Sequence, residues 1–333
     1  MTDGALLILD ADGVFMSERP YWNAALATAL ESAGLAPLAR GRWDALADYA
    51  FGPLGVQRVT KAHGCNSNWD LAAVLVRALE DAAWREVVGE MLEADREYDA
   101  MKILGHAGDR VRRQAGESGN GADVDPLERF GIDRGGEFFG KVVESFQRVM
   151  LSESAIDWEF ERWQLKEPSE LVLRGFDAFT SLGLSLRICT GRDRAEIEEP
   201  VRRLGLEAYF PPESIVSGDE VVRAERESGL PHLGKPHWFA PACAAVGFEA
   251  AAGALSNGRP IGRSEGAVYV GDAWADYAAV EACRERGLGL GYIHMRSGVT
   301  TREQERTIAR SFATLGVVDR LGEVVAVLRG RIP

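Results

Sequence analysis

Near the start of the chain, a short apolar run is followed by two acids, in the stretch Leu6-Leu7-Ile8-Leu9-Asp10-Ala11-Asp12-Gly13. A continuous apolar run of this length predicts a strand that is buried on both faces, as in a parallel sheet. Comparable runs recur late in the chain, at 184–189, 214–217, 267–270 and 288–295. The late runs therefore predict further strands of the same sheet.

Helical patterns separate these later strands, at 168–182, 194–204, 236–252 and 274–286. Strands that alternate with helices predict an α/β fold, a Rossmann-like parallel sheet with helices on both faces. In such sheets ligands bind outside the carboxyl ends of the strands. Asp10, Thr190 and Asp272 each follow a predicted strand, so we expect them to line one crevice.

The segment between the first two strands has a different pattern. Its apolar spacing is helical, and it contains no clear strand run. The sequence therefore predicts two domains: an α/β core of residues 1–15 and 166–333, and an all-helical domain of residues 16–165 inserted into it.

Composition narrows the class of protein. The 333 residues are 46% hydrophobic and 27% charged, which is typical of a soluble globular protein. A net charge of -13 argues against nucleic acid as a partner. The sequence has no apolar run long enough for a membrane span. Asp3, Asp10 and Asp12 lie where a signal peptide would carry positive charge. We expect a cytoplasmic protein with reduced cysteines.

Three further motifs contain candidate catalytic or binding residues: Cys189-Thr190-Gly191, Gly234-Lys235-Pro236, and the segment from Gly271-Asp272 to Asp276. The Thr190 hydroxyl and the Gly191 N–H lie where a strand passes into a helix and can both bind an anion. Lys235 is one of only five lysines. Asp272 and Asp276 are four residues apart and offer the hard oxygen ligands that Mg²⁺ prefers.

Each motif also has an ordinary structural explanation. Asp10 and Asp12 can terminate a strand and stabilise a turn. Thr190 can be a helix N-cap, and Lys235 can be a solvated surface residue. Asp276 can simply be an acid favoured at the start of a helix.

Taken together, in this order and context, the four motifs resemble those of the haloacid dehalogenase superfamily of phosphoryl-transfer enzymes. The resemblance implies that Asp10 attacks phosphorus and forms an aspartyl phosphate, while Asp12 is the general acid and base. It also implies that Thr190, Gly191 and Lys235 bind the phosphoryl group.

The same resemblance implies a Mg²⁺ cofactor. The ligands would be the carboxylate of Asp10, the backbone carbonyl of Asp12 and the carboxylate of Asp272, with Asp276 binding directly or through water. Dehalogenases of this superfamily lack the second aspartate, so Asp12 argues for phosphate chemistry. The sequence thus predicts a Mg²⁺-dependent phosphatase acting on a small phosphorylated metabolite. A phosphomutase, or a non-catalytic binding protein that keeps the fold, remains open.

The inserted segment resembles the helical cap of small-molecule phosphatases but is unusually long. A cap of this kind is expected to gate water and to select the substrate. Within it, Asn66, Asn68 and Lys61 are the predicted substrate contacts, joined by Arg192 beside the second motif. Helix capping by either asparagine, and a solvated Lys61, are the alternatives.

Overall fold

The computed structural model describes residues 5–41, 43–51, 67–80, 126–258, 261 and 266–330. The chain divides into two compact units, one of Met1–Ser17 with Trp163–Pro333 and one of Glu18–Arg162. No helix among the described residues is both long enough and apolar enough to cross a membrane. Three of the four cysteines are described, and these are free and buried.

The first unit contains a parallel sheet of six strands in the order β3-β2-β1-β4-β5-β6. The strands are β1 Leu6–Leu9, β2 Ser185–Cys189, β3 Ile215–Val216, β4 Val268–Gly271, β5 Gly291–Met295 and β6 Thr314–Val318. The predicted α/β class with a Rossmann-like parallel sheet is confirmed. Strand β1 lies between β2 and β4, so the carboxyl ends of these three strands meet at one edge.

Eight α-helices of the sheet unit surround this sheet in the described ranges. They are α7 Ser169–Ser181, α8 Arg194–Arg203, α9 Gly218–Ser228, α10 Phe239–Val246, α11 Phe248–Asn257, α12 Trp274–Glu285, α13 Arg302–Arg310 and α14 Leu321–Arg329. Successive side chains of β1 point to opposite faces. Leu7 and Leu9 therefore pack in the core that contains Phe176 of α7, and Ile8 packs in the core that contains Phe239 of α10.

Two details of the predicted elements were wrong or missed. The single helix predicted over 236–252 is two helices, because Gly247 between them has φ +89°, a conformation that ends a helix. The sheet also has a sixth strand, β6, that the sequence pattern did not indicate. Its residues are mostly half-buried, so it lacks the apolar signature of the interior strands.

In the second unit, all the described regular secondary structure is helical. The helices are α1 Arg19–Ser32, α2 Ala36–Ala39, α3 Trp43–Phe51, α4 Asn68–Leu79, α5 Pro126–Arg129 and α6 Glu137–Met150. Aromatic contacts join them, with the rings of Tyr21 and Phe146 centred 5.9 Å apart. An ion pair also stabilises this unit, since the exposed Arg134 places its Nη2 2.8 Å from Oδ2 of the buried Asp70.

The segments that leave and re-enter the sheet unit pair with each other. Ser17 N donates to Gln164 O at 2.8 Å, and Lys166 N donates to Phe15 O at 2.9 Å. The Lys166 ammonium then donates to the carbonyl of Gly13 at 2.5 Å. The re-entering segment therefore holds the loop that follows β1.

Candidate active site

Asp10 follows β1 directly at the carboxyl edge of the sheet. Its backbone N–H donates to Val270 O of β4 at 2.9 Å, and its Oδ1 accepts from the N–H of Ala11 at 2.8 Å. The residue is only 7% exposed. The sheet thus fixes a buried carboxylate between β2 and β4, with one oxygen held by the chain itself and the other, Oδ2, directed to a neighbour.

That neighbour is Lys235. Its Nζ lies 2.9 Å from Asp10 Oδ2, 2.7 Å from Asp276 Oδ1 and 3.3 Å from the hydroxyl of Tyr269. The Lys235 side chain is 13% exposed, which excludes the alternative of a solvated surface lysine. The ammonium therefore lies between two carboxylates at the carboxyl edge of the sheet.

Asp276 uses both carboxylate oxygens. Oδ1 accepts from Lys235, and Oδ2 accepts from the backbone N–H groups of Asp272 and Ala273 at 3.2 and 3.0 Å. These contacts stabilise the first turn of α12, where the unpaired N–H groups favour a negative charge. Asp276 thus serves as the acid at a helix start and also binds Lys235.

Asp272 lies against the loop that follows β1. Gly13 in that loop has φ +70°, and a Cβ added to it would lie 1.9 Å from Asp272 Oδ2. Only glycine leaves space for the carboxylate there. The close approach brings the first and fourth motifs together, although they are more than 250 residues apart in the sequence.

Asp10, Asp272 and Asp276 form a group of carboxylates whose ligand oxygens all lie within 4.8 Å of one another. All three are buried, and the Lys235 ammonium opposes their charge. A hard divalent cation suits such a donor set, because Mg²⁺ binds carboxylate oxygens and retains water at its other positions. The residues at this site therefore fit the predicted cofactor.

Burial and neighbouring charges shift the pKa values of Asp10 and Lys235. Burial raises the pKa of Asp10 to about 8; the Lys235 ammonium opposes this shift, and the carboxylates of Asp276, Asp272 and Asp12 reinforce it. Burial also disfavours the charged form of Lys235, but Asp10 and Asp276 outweigh it and raise the pKa of that ammonium well above its usual value. The lysine is a permanent cation at neutral pH.

Thr190 directly follows β2 at the same edge of the sheet. Its N–H donates to Val216 O of β3 at 3.0 Å, and its Oγ1 accepts from the N–H of Arg192 at 3.3 Å. The N-cap of α8 is Asp193, so the alternative that Thr190 is itself the helix N-cap is wrong. A Cβ added to Gly191 would meet no atom within 4 Å, so the backbone of this turn is open on that side.

Asp12 is paired with Arg192. The Arg192 Nε donates to Asp12 Oδ2 at 2.8 Å, and Nη2 donates to Asp12 Oδ1. Arg192 is 5% exposed, so it is a buried partner of Asp12. The sequence predicted it as a substrate contact, and its observed partner is instead the predicted general acid.

The cap residues predicted as substrate contacts are only partly described. Asn66 and Lys61 lie outside the described residues. Asn68 is the first residue of α4, and the N-cap is Ser67, whose Oγ accepts from Trp69 N at 3.1 Å. Asn68 Oδ1 is buried and accepts no hydrogen bond among the described groups. Its role toward substrate stays a prediction.

Sequence reasoning missed Tyr269, whose side chain is fully buried beneath the site. Its hydroxyl lies 3.3 Å from Lys235 Nζ, 3.2 Å from Asp276 Oδ1 and 3.3 Å from Cys189 O. Within the apolar run of β4 it looked like an ordinary core aromatic. The polar atom at the tip of a buried tyrosine, which needs a partner, was the available signal.

Comparison with known proteins shows the fold. An X-ray structure of a Northeast Structural Genomics Consortium target matches with a TM-score of 0.66 and 17% identity, covering 98% of both chains. A hydrolase from Pseudomonas syringae matches with a TM-score of 0.44 and 14% identity, covering 98% of this chain and 99% of that one. A HAD-superfamily hydrolase from Geobacter sulfurreducens matches with a TM-score of 0.36 and 15% identity, covering 98% of both chains.

The first of these likenesses extends over nearly the whole chain and shows a shared fold. At TM-scores below 0.5, the other two add nothing to that conclusion. No protein-family model matches the sequence, and no curated protein matches it. An activity must therefore be argued from the site itself.

Proposed function

We propose that this chain is a Mg²⁺-dependent phosphatase of the haloacid dehalogenase superfamily that hydrolyses a small phosphomonoester. One observation carries the proposal: the buried Asp10 carboxylate at the end of β1 lies 2.9 Å from the Lys235 ammonium. A carboxylate oxygen of Asp10 also lies within 4.8 Å of carboxylate oxygens of Asp272 and Asp276.

The cost of this arrangement favours catalysis over a passive binding role. Removing charged groups from water costs several kcal/mol for each ion in proteins, and mutual attraction offsets it only in part. The site buries three carboxyl groups beside one ammonium, an excess of acidic over basic groups. A site that takes up a cation and a phosphoryl group gives that excess a function.

The first half-reaction breaks the ester. An oxygen of the Asp10 carboxylate attacks phosphorus, the bond from phosphorus to the leaving oxygen breaks, and Asp12 gives its proton to that oxygen. The products are the free alcohol and a phosphoryl group on Asp10. Lys235, the Thr190 hydroxyl and the Gly191 N–H are the proposed donors to the phosphoryl oxygens.

The second half-reaction restores the enzyme. Asp12, now a carboxylate, takes a proton from a water molecule as that water attacks phosphorus. The bond between phosphorus and Asp10 breaks, and inorganic phosphate leaves. Asp10 regains its carboxylate and Asp12 its proton, so the cycle closes.

The residues that would hold Mg²⁺ are Asp10, the backbone carbonyl of Asp12, and Asp272. When bound, the ion supplies positive charge to the phosphoryl group in transfer. The two oxygens of Asp276 accept from Lys235 and from two backbone N–H groups, which supports an indirect role for this residue. From its place in the sequence, we propose that the helical insertion selects the leaving group.

A screen of phosphorylated metabolites with Mg²⁺, read out as free phosphate, tests the proposal. Asp10→Asn should abolish turnover, because the amide cannot form the phosphorylated intermediate. Asp177→Asn is the matched control: it removes a carboxylate of the same unit that accepts from Tyr209, and it should keep full activity. Retained turnover in a folded Asp10→Asn protein would refute the mechanism. An isomerised sugar phosphate without free phosphate would indicate a mutase.

A further inference from the structure

Arg192 contacts Asp12 through two hydrogen bonds. Two nitrogens of one guanidinium, Nε and Nη2, each donate to a different oxygen of the Asp12 carboxylate. A bidentate pair of this kind sets the plane and the direction of a carboxylate, which a single hydrogen bond does not. Each carboxylate oxygen keeps a second lone pair for a proton.

Arg192 is itself held in place. Its Nη1 donates to the carbonyl of Glu196 one helical turn further along, at 3.3 Å. Its own carbonyl accepts from the N–H of Gly218 at 2.7 Å, and its N–H donates to the Thr190 hydroxyl at 3.3 Å. A Cβ on Gly218 would lie 3.0 Å from Gly191 O. The loops after β2 and β3 therefore pack closely and fix the arginine.

We propose that Arg192 is a positioning residue, which aims the Asp12 carboxyl group at the leaving oxygen of the substrate. The inference rests on the proposed function and adds to it a residue that acts through Asp12. The proton that Asp12 gives to the leaving oxygen, as the phosphorus–oxygen bond breaks, comes from a carboxyl group whose plane the guanidinium fixes. Arg192 gives up no proton in either half-reaction.

The contacts favour this role over direct contact with substrate. Asp12 and the Glu196 carbonyl accept from three of the guanidinium's nitrogens. The side chain is 4% exposed, against 16% for that of Asp12. The carboxylate is the more accessible member of the pair, so it faces the reaction and the arginine lies behind it.

The test uses esters whose leaving groups differ in basicity, because only a poor leaving group needs a proton to depart. Wild type and Arg192→Met are compared, at saturating Mg²⁺, on dinitrophenyl, p-nitrophenyl and phenyl phosphate and on glycerol phosphate. General acids contribute about 10²–10⁴-fold, so misaiming Asp12 should lower kcat/KM on glycerol phosphate by about 100-fold. On dinitrophenyl phosphate, whose leaving group departs without a proton, the loss should stay below about threefold.

Arg194→Met is the matched control. Arg194 lies two residues further along and pairs with Glu198 at 3.1 Å and with Glu220, not with Asp12. Any decrease in kcat/KM caused by Arg194→Met should be the same for every ester. Arg192→Lys keeps the positive charge but lacks the two guanidinium nitrogens that bind both oxygens of Asp12. Its losses in kcat/KM should therefore rise with leaving-group basicity less steeply than those of Arg192→Met.

A double-mutant cycle isolates the route of action. In an Asp12→Asn background there is no acid to aim, so Arg192→Met should have the same effect on every ester. Losses from Arg192→Met that are equal across the series in the wild-type background, or absent, would overturn the proposal and leave Arg192 as a structural residue. If Arg192→Met does not fold, Arg192→Lys decides by the same comparison. A wild-type protein that hydrolyses none of the esters would instead refute the proposed function.

Discussion

Replacing Gly13 by alanine tests the close contact between the loop after β1 and Asp272. Gly13 has φ +70°, so any other residue is strained there by about 1–2 kcal/mol. The new methyl carbon would also lie 1.9 Å from Asp272 Oδ2, 2.4 Å from its Cγ and 3.2 Å from its Cβ. Because Cγ is overlapped as well, rotation of the carboxylate alone does not relieve the clash.

The added methyl group would force the Asp272 carboxylate away from the β1 loop. Ordinary contact begins at 3.4 Å, so Oδ2 must retreat by 3.4 − 1.9 = 1.5 Å. Mg²⁺ requires oxygen ligands at about 2.0–2.1 Å in near-octahedral geometry, and it does not follow a ligand that has moved this far. Changes behind the ligands of a metal cost about 10–100-fold in affinity, so loss of a direct ligand should cost more than about 100-fold.

Gly205→Ala provides the control. Gly205 has φ +69°, and an added Cβ there would meet nothing within 4 Å. The two variants share a positive φ at the mutated residue, but only Gly13→Ala adds a clash with Asp272. Titration calorimetry with Mg²⁺, phosphate release and thermal unfolding should be measured on both. Equal Mg²⁺ affinity in Gly13→Ala and Gly205→Ala would show that Asp272 is not a ligand held against the β1 loop.

Buried polar groups control both the Mg²⁺ affinity and the stability of the site. Because burial raises the pKa of Asp10 to about 8, Mg²⁺ must displace a proton from it at neutral pH. The affinity should therefore rise about tenfold per pH unit below pH 8 and level off above it, with proton release measured by calorimetry in two buffers; affinity independent of pH would contradict this. Tyr269→Phe removes the hydroxyl near Lys235 and should lower the free energy of unfolding by about 1.5–3 kcal/mol and kcat by about tenfold. Tyr209→Phe, which loses a hydrogen bond at the surface, should leave kcat unchanged.

The first five strands were predictable because the signal of each is local, whereas the half-buried β6 lacks that signal. An apolar run such as 6–9 indicates a buried strand wherever the partners lie. In a parallel sheet the carboxyl ends of the strands converge, so Asp10, Thr190 and Asp272 could be placed at one edge before any contact was known. Lys235 was predicted as a site residue because lysine is scarce in this chain and because it lies in the Gly-Lys-Pro motif.

The sequence by itself determined the class of fold, and its motifs supplied the residues that are proposed for the site. The tertiary structure alone decided the partners: Arg192 with Asp12, 180 residues apart, and Tyr269 with Lys235, 34 residues apart. It also decided that Asp276 directs one oxygen to Lys235 and the other to the start of α12. Apolar periodicity specifies which face of an element is buried, but pairing between side chains depends on how the loops pack, and that is set by the whole fold.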